Sequence, residues 1–484
     1  MHDTKTELAP PEVHQVSEDD VKEREKARLS PFFTLLFSGF ALMSDGYQVG
    51  VLSLVNVCLG NIYGDKYTSA MSTRLGNAMF VGIVLGQIGF GFFIDRWGRK
   101  MGLLLTTFLV ILGAALCAGA PTNGSVESTF WALTIYRGIL GVGVGGEYPC
   151  SSVNASESAD SVRQGRRGML VSLTTNTVID FGFVLAGIVP LIFAAAGCSN
   201  QAIWRASFGF GVIPPLSVLY FRLKMTNSEI FKKNAMKHNV PYLLIIKRYW
   251  RYLLGTAGTW FIYDFITYPF GLFSGTITDN VLGANATFIQ VAGWSTLINF
   301  FYVPGCFGGA FLSDRIGRRK TILVGFGVQG ILGILMGIWY KNLAQNIFPL
   351  FVVLYGVFLA LGELGPGCMT IVTSSEIYPT AIRGTAYGWS AAIGKIGAIV
   401  GTSAFKPAVA RFGGDDVLLG QGRVFMLASG LAIFGGLYSY FLLPEYSQQD
   451  LFAEDEAFRQ YLIENGHDVS TIGEHAAREE EVKA

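Results

Sequence analysis

The sequence predicts an all-α membrane protein of twelve transmembrane helices, built as two six-helix bundles related by duplication. Three observations predict this. Hydrophobic residues make up 51% of the 484 positions, charged residues only 15%, and mean hydropathy is +0.42, too apolar for a soluble chain of this length. A bilayer crossing needs about 20 apolar residues, and twelve stretches qualify: 31–57, 72–94, 101–121, 129–153, 168–195, 204–223, 250–275, 286–312, 320–340, 347–373, 384–408 and 423–443. Finally, Asp95-Arg96-Trp97-Gly98-Arg99 recurs 219 positions later as Asp314-Arg315-Ile316-Gly317-Arg318. Each copy separates the second and third apolar stretches of its half. Two unrelated charged loops would account for the charges but not for the repeated order.

The segments follow from these landmarks. Residues 1–30 form a polar tail of mixed charge without the apolar core of a signal peptide, so the first membrane helix is expected to target the chain. Residues 31–223 form the first bundle and 250–443 the second. Between them, 224–249 is a basic linker with Lys232, Lys233, Lys237, Lys247 and Arg248. The acidic tail, 444–484, reads as a short helix with a disordered end. Arg96, Arg99, Lys100, Arg163, Arg166, Arg167, Arg315 to Lys320 and Arg383 fall on one side with the linker, which the positive-inside rule makes cytoplasmic, together with both termini. Sequons at Asn123 and Asn285 fall in loops on the other side. The six cysteines show no paired spacing, so neither a disulfide framework nor a metal site is expected. A net charge of +1 gives no reason to expect a nucleic-acid partner. No nucleophile–base pair lies on a soluble face, so the chain is not expected to be an enzyme or to carry a cofactor.

Seven ionisable residues lie at membrane depth: Asp45, Arg137, Glu147, Asp180, Asp264, Glu363 and Lys395. A charge there is costly and normally faces a cavity or a partner. Internal salt bridges could explain any one of them, and Asp180 most readily, but explain the whole set poorly. Trp260, Asp264 and Tyr268 are spaced i, i+4, i+8 and share a helix face. An indole N–H, a carboxylate and a phenol on one face suit a polar ligand. Small residues flank Lys395, whose ammonium needs a nearby anion, either Asp264 or a substrate. The glycines between Arg137 and Glu147 permit close helix contact; no strand precedes them, which excludes a nucleotide-binding loop.

The twin basic turns resemble those of the major facilitator superfamily of secondary transporters. Three strings narrow the resemblance: Gly145-Gly146-Glu147-Tyr148-Pro149, Trp260-x3-Asp264-x3-Tyr268 and Gly394-Lys395-x-Gly397-Ala398-Ile399-Val400-Gly401. Together they are similar to the phosphate:proton symporter family, from Pro31 to Glu445. The resemblance implies a substrate and proton site at Glu147, Tyr148, Trp260, Asp264, Tyr268 and Lys395. It also implies proton-path roles for Asp45 and Arg137, and places Asn176 near a polar fifth-helix contact. There are departures. Glu147 stands where inorganic phosphate carriers usually have Asp. Gly362-Glu363-Leu364-Gly365-Pro366-Gly367 replaces an Asn-rich stretch, and a Pro-Glu-Ser-Pro-Arg signature is eroded to Met225-Thr226-Asn227-Ser228-Glu229. In these respects the chain looks more like the fungal glycerophosphoinositol and glycerophosphocholine permeases.

The expectation is therefore proton-coupled import of a glycerophosphodiester across the plasma membrane by a monomer working through alternating access. Substrate contacts are expected from Tyr148, Asn176, Trp260, Asp264, Tyr268, Glu363 and Lys395, and proton coupling from Asp45, Arg137, Glu147 and Asp264. Gating is expected from Asp95, Arg96, Arg99, Asp314, Arg315 and Arg318, with Glu376 and Arg383 partnering the second basic turn. An inorganic phosphate symporter, a sugar or polyol porter and a nutrient sensor are the alternatives.

Overall fold

The computed structural model describes residues 31–122, 124–163, 165–225, 227–236, 240–282, 286–445, 451–469 and 472–473. The sequons at Asn123 and Asn285, Lys237, the N-terminal tail and the end of the acidic tail lie outside the described residues.

The twelve long helical runs are, in chain order, α1 Phe32–Lys66, α2 Ser69–Trp97, α3 Arg99–Ala118, α4 Val126–Val162, α5 Arg167–Ala195 and α6 Asn200–Lys224, then α7 Tyr242–Leu272, α8 Phe288–Ile316, α9 Arg318–Ile338, α10 Phe348–Glu376, α11 Arg383–Gly413 and α12 Val417–Leu442. Nine are long and apolar enough to cross a bilayer among the described residues. The other three, α4, α7 and α11, are long enough but more polar. They carry Arg137, Glu147, Asp264 and Lys395, all buried inside the protein rather than turned to lipid. Adding them is consistent with the expected twelve spans, in an all-helical fold.

Both basic turns have the same backbone. Gly98 has φ 97° and ψ 158°, and Gly317 has φ 91° and ψ 161°. Only glycine adopts this region without strain, so the repeated Gly lets one helix end and the next start at once. The glycines of α4 act differently. A Cβ on Gly141 or Gly145 would lie 2.2 or 2.1 Å from the carbonyl oxygens of Met79 and Ile83, so their absence lets α4 and α2 touch backbone to backbone.

Two helices are interrupted where the bundle needs a side chain turned inward. α5 breaks at Thr175, and a new helix starts at Asn176. α10 widens into a π-turn over Glu363–Gly367. Pro366 has no N–H to donate, so the regular ladder cannot continue there, and flanking glycines accept the wider turn. The acidic tail contributes α13, Leu451–Glu464. It docks rather than floating: Phe458 and Leu462 are buried with Tyr249, Ile377, Tyr378 and Ile382. Asp455 accepts from the Thr380 backbone N–H at 2.5 Å and its hydroxyl at 2.7 Å, in the loop joining α10 to α11.

Candidate substrate site and its gates

A small cavity lies between the bundles. Its volume is about 40 Å³, enough for a few water molecules and far too little for a phosphodiester. All seven residues expected to contact substrate line it: Tyr148, Asn176, Trp260, Asp264, Tyr268, Glu363 and Lys395. The i, i+4, i+8 face of α7 supplies three of them, α11 supplies the lysine, and the break in α5 and the π-turn in α10 supply Asn176 and Glu363. Lys395 donates to Asp264 at 2.8 Å and to the Tyr268 hydroxyl at 2.5 Å, and its ammonium also lies 5.2 Å from the centre of the Tyr148 ring. Glu363 bonds neither Lys395 nor Arg137. Its two oxygens accept from Asn176 Nδ2 at 2.5 Å and from the Tyr263 hydroxyl. The cavity thus offers one cation, held by one carboxylate, and a second carboxylate held by neutral donors.

The expected proton-coupling residues other than Asp264 do not line this cavity. Glu147 is locked to Arg222 at 2.6 and 2.7 Å, with Ser151 at 3.0 Å and the Thr106 hydroxyl completing its acceptors. Among the described residues, Arg137 has no carboxylate partner. It donates to the Leu75 carbonyl at 2.9 Å and to the Gln48 carbonyl at 3.4 Å. Asp45 is 1% exposed and, among the described residues, neither oxygen finds a hydrogen-bond partner.

The face bearing the basic turns is closed by two buried ion clusters with one plan. In the first, Glu157 accepts from Arg99 at 2.8 Å and from Arg383 at 3.1 Å. Asp95 accepts from Arg99 at 3.1 Å and, across the bundles, from the backbone N–H groups of Gly384 and Thr385 at 2.9 and 2.7 Å. These last contacts place a carboxylate on the N-terminus of α11. In the second cluster, Glu376 accepts from Arg318 at 3.1 Å and Arg167 at 3.0 Å, and Asp314 accepts from the Met169 N–H at 3.3 Å.

This corrects two gating expectations. Glu376 does serve the second turn, but Arg383 belongs to the first, because α11 starts beside α2 and not beside α8. Within each turn the closing arginine is the second, Arg99 or Arg318, both buried. Arg315 is exposed and Arg96 half-buried, its guanidinium 3.7 Å from the centre of the Phe92 ring and bonded to the Tyr242 hydroxyl at 3.3 Å. The eroded signature still docks here: Asn227 Oδ1 accepts from the Lys100 N–H at 3.1 Å, and the Ser228 hydroxyl donates to Glu157.

The opposite face is closed by neutral groups. Asn77 bonds Ser403 at 2.8 Å and Thr402 at 3.0 Å, and Ser53 accepts from the Gly275 N–H at 3.1 Å. Cross-bundle contacts are thus present on both sides of the cavity.

Several important residues escaped the sequence reading. Glu157 lies 219 positions before Glu376, so the repeat offset alone points to it. Tyr263 adjoins Asp264 but sits off the inspected face. Arg222 looks like an ordinary boundary cation at a helix end, and nothing in its neighbourhood marks Glu147 as its partner.

Fold and site define a membrane transporter built from two repeats around a charged central cavity. A profile of the sugar (and other) transporter family matches residues 32–458, and the chain belongs to that family of multi-pass transporters, which are not enzymes. Among its relatives, the glycerophosphoinositol transporter 1 of Saccharomyces cerevisiae is 42% identical over 91% of this chain and 84% of its own length. A glycerophosphocholine permease of Candida albicans is 41% identical over 95% and 87%, and a probable inorganic phosphate transporter of Arabidopsis thaliana is 27% identical over 86% and 92%. The fold matches a major facilitator superfamily proton:xylose symporter bound to a bromo-deoxyglucose, with TM-score 0.74 and 19% identity over 88% of this chain and 98% of that one.

Proposed function

We propose that the protein imports a glycerophosphodiester together with protons across the plasma membrane, with both termini and the basic turns cytoplasmic. The observation that carries the substrate class is the charge arrangement of the cavity: a single ammonium, Lys395, opposite a carboxylate, Glu363, that is held only by neutral donors. A diester brings one negative charge, which Lys395 can take from Asp264. Inorganic phosphate brings a second charge that Glu363 repels. The hydroxyls of a glycerol or inositol can replace Asn176 and Tyr263 as donors to Glu363, and a choline ammonium can pair with it. Names of the relatives at 41–42% identity support the same class.

Protons enter the reading through energetics. Bringing an anion into a negative interior costs about 2.3 kcal/mol per charge per 100 mV, so a coupling ion is needed. Asp264, which loses Lys395 when substrate binds, and Asp45, buried with no hydrogen-bond donor among the described residues, are the carboxylates that take up the coupling proton on this reading. Alternating access then requires the two buried ion clusters to break when the basic face opens.

The test is uptake of radiolabelled glycerophosphoinositol into cells, competed by unlabelled glycerophosphocholine, inorganic phosphate and glucose, with and without a protonophore. Competition by glycerophosphodiesters, weak competition by phosphate, and collapse with the protonophore are expected. Strong phosphate transport that no glycerophosphodiester inhibits would overturn the substrate class, and sodium-dependent uptake surviving the protonophore would overturn the coupling.

A further inference from the structure

Asp180 takes no part in the site described so far. It lies on α5 in the first bundle, 1% exposed, and no N–H or O–H donor among the described residues reaches either of its oxygens. It stands one helical turn after Asn176, which bonds Glu363 of α10 in the second bundle at 2.5 Å and the Cys306 thiol of α8 at 3.4 Å, so this face of α5 is turned toward both. The other titratable groups facing it are Tyr302 on α8, Tyr263 on α7 and Cys368 on α10. Among the described residues, no cation faces Asp180. Lys395 on α11 and Asp264 on α7 act on Glu363 instead. On α1, which packs against α5, Tyr47 bonds the Ser207 carbonyl at 2.5 Å, and Asp45 faces Glu147, Arg222 and Lys395.

We infer that Asp180 and Glu363 form a proton-binding pair across the interface of the two bundles, and that one shared proton is required for the bundles to close around the site. Two neighbouring carboxylates without a cation between them cannot both stay ionised away from water. Hydrogen bonding says which carries the proton. Glu363 accepts from Asn176 and Tyr263 through both oxygens, as an ionised carboxylate does. Asp180 has no N–H or O–H donor, only the weakly polar Cys306 thiol beside it, and so is the neutral member. The pair joins α5 to α10, elements of different halves, so losing the proton places two like charges across the surface that closure brings together. The inference uses the cavity geometry and does not depend on protons driving uptake.

The test is counterflow exchange of glycerophosphoinositol in liposomes holding the purified protein, with equal pH on both sides so that no proton gradient acts. Exchange by the wild type is expected to fall as pH rises. Asp180→Asn, which keeps the shape of the protonated acid, is expected to exchange at least as fast as wild type at alkaline pH and to lose that fall. Difference infrared spectra of the substrate-free protein supply the second readout. The protonated-carboxyl C=O absorption of wild type should lose one component in Asp180→Asn, and that same component should persist in Asp45→Asn. If Asp180→Asn keeps the wild-type pH profile, or loses no component of that absorption, the inference is overturned. Should Asp180→Asn fail to fold, Glu363→Gln removes the second charge and is expected to flatten the same alkaline limb. An unchanged limb there also overturns the inference. Loss of exchange with every glycerophosphodiester in wild type instead strikes at the proposed substrate.

Discussion

Asp45 and Asp264 stand 219 positions apart, at the same place in the two repeats, yet their surroundings differ completely. Asp264 is paired with Lys395 at 2.8 Å, while Asp45 has no donor on either oxygen. At the basic face the same offset relates Asp95 to Asp314, Arg99 to Arg318 and Glu157 to Glu376, and there the plan is shared: in each cluster the glutamate is held by two arginines and the aspartate accepts a backbone N–H from the other bundle. On the proposed mechanism each half breaks and re-forms one cluster, which explains why the duplicated chemistry is kept there, while the centre serves one asymmetric ligand, which explains why the duplication is given up.

Removing the cation of the asymmetric centre should do the most damage. In Lys395→Ala, Asp264 is left buried and unpaired, a change that typically costs about 3–5 kcal/mol. Substrate binding by purified protein should fall by at least about 100-fold. Lys395→Arg should recover little, because a planar guanidinium does not replace a compact ammonium between Asp264 and Tyr268. Near-native binding by the alanine variant would remove the reason for placing the phosphate at Lys395.

The gate symmetry can be tested next. Glu157→Gln leaves Arg99 and Arg383 without their shared carboxylate, and Glu376→Gln does the same to Arg318 and Arg167. Each variant should cut uptake by about tenfold or more, since removing one partner strands buried charge. Each should also speed alkylation, from the basic face, of a cysteine placed at Ser152, and the two effects should agree within about threefold if the clusters contribute equally. A variant that fails while its counterpart transports normally would show that the matching geometry hides unequal roles.

Glu363→Gln probes selectivity. Removing one nearby like charge should improve competition by inorganic phosphate by about tenfold, the equivalent of roughly 1.4 kcal/mol. Glycerophosphodiester uptake should weaken while the amount of protein in the membrane stays level. If phosphate competes no better, the carboxylate does not set the discrimination.

The smallest effect is expected at the neutral face. Asn77→Ala removes two uncharged hydrogen bonds, to Ser403 and Thr402, each contributing about 1 kcal/mol. Uptake should change by less than about tenfold. A loss as deep as that of Glu157→Gln would mean that the two faces are held shut with equal strength.

Much of the site was legible before the structure, for a local reason. Trp260, Asp264 and Tyr268 share a face because a helix repeats every 3.6 residues, and Lys395 stands out because a charge in an apolar run needs a partner. The repeat offset marks the turns and, used further, marks Glu157. What stayed hidden depends on approach between distant segments. Arg222 meets Glu147 across 75 positions, and no periodicity links them.

The sequence by itself determined the two-bundle helical architecture, the paired turns and the polar face of α7, because hydropathy, glycine conformation and helical periodicity act over a few residues. Only the tertiary structure decided that Arg383 joins the first cluster, that Glu147 is locked to Arg222, and that Asn176 bonds Glu363. Those pairings depend on which helices become neighbours when the bundles pack, and on what side chains find when water is excluded between them.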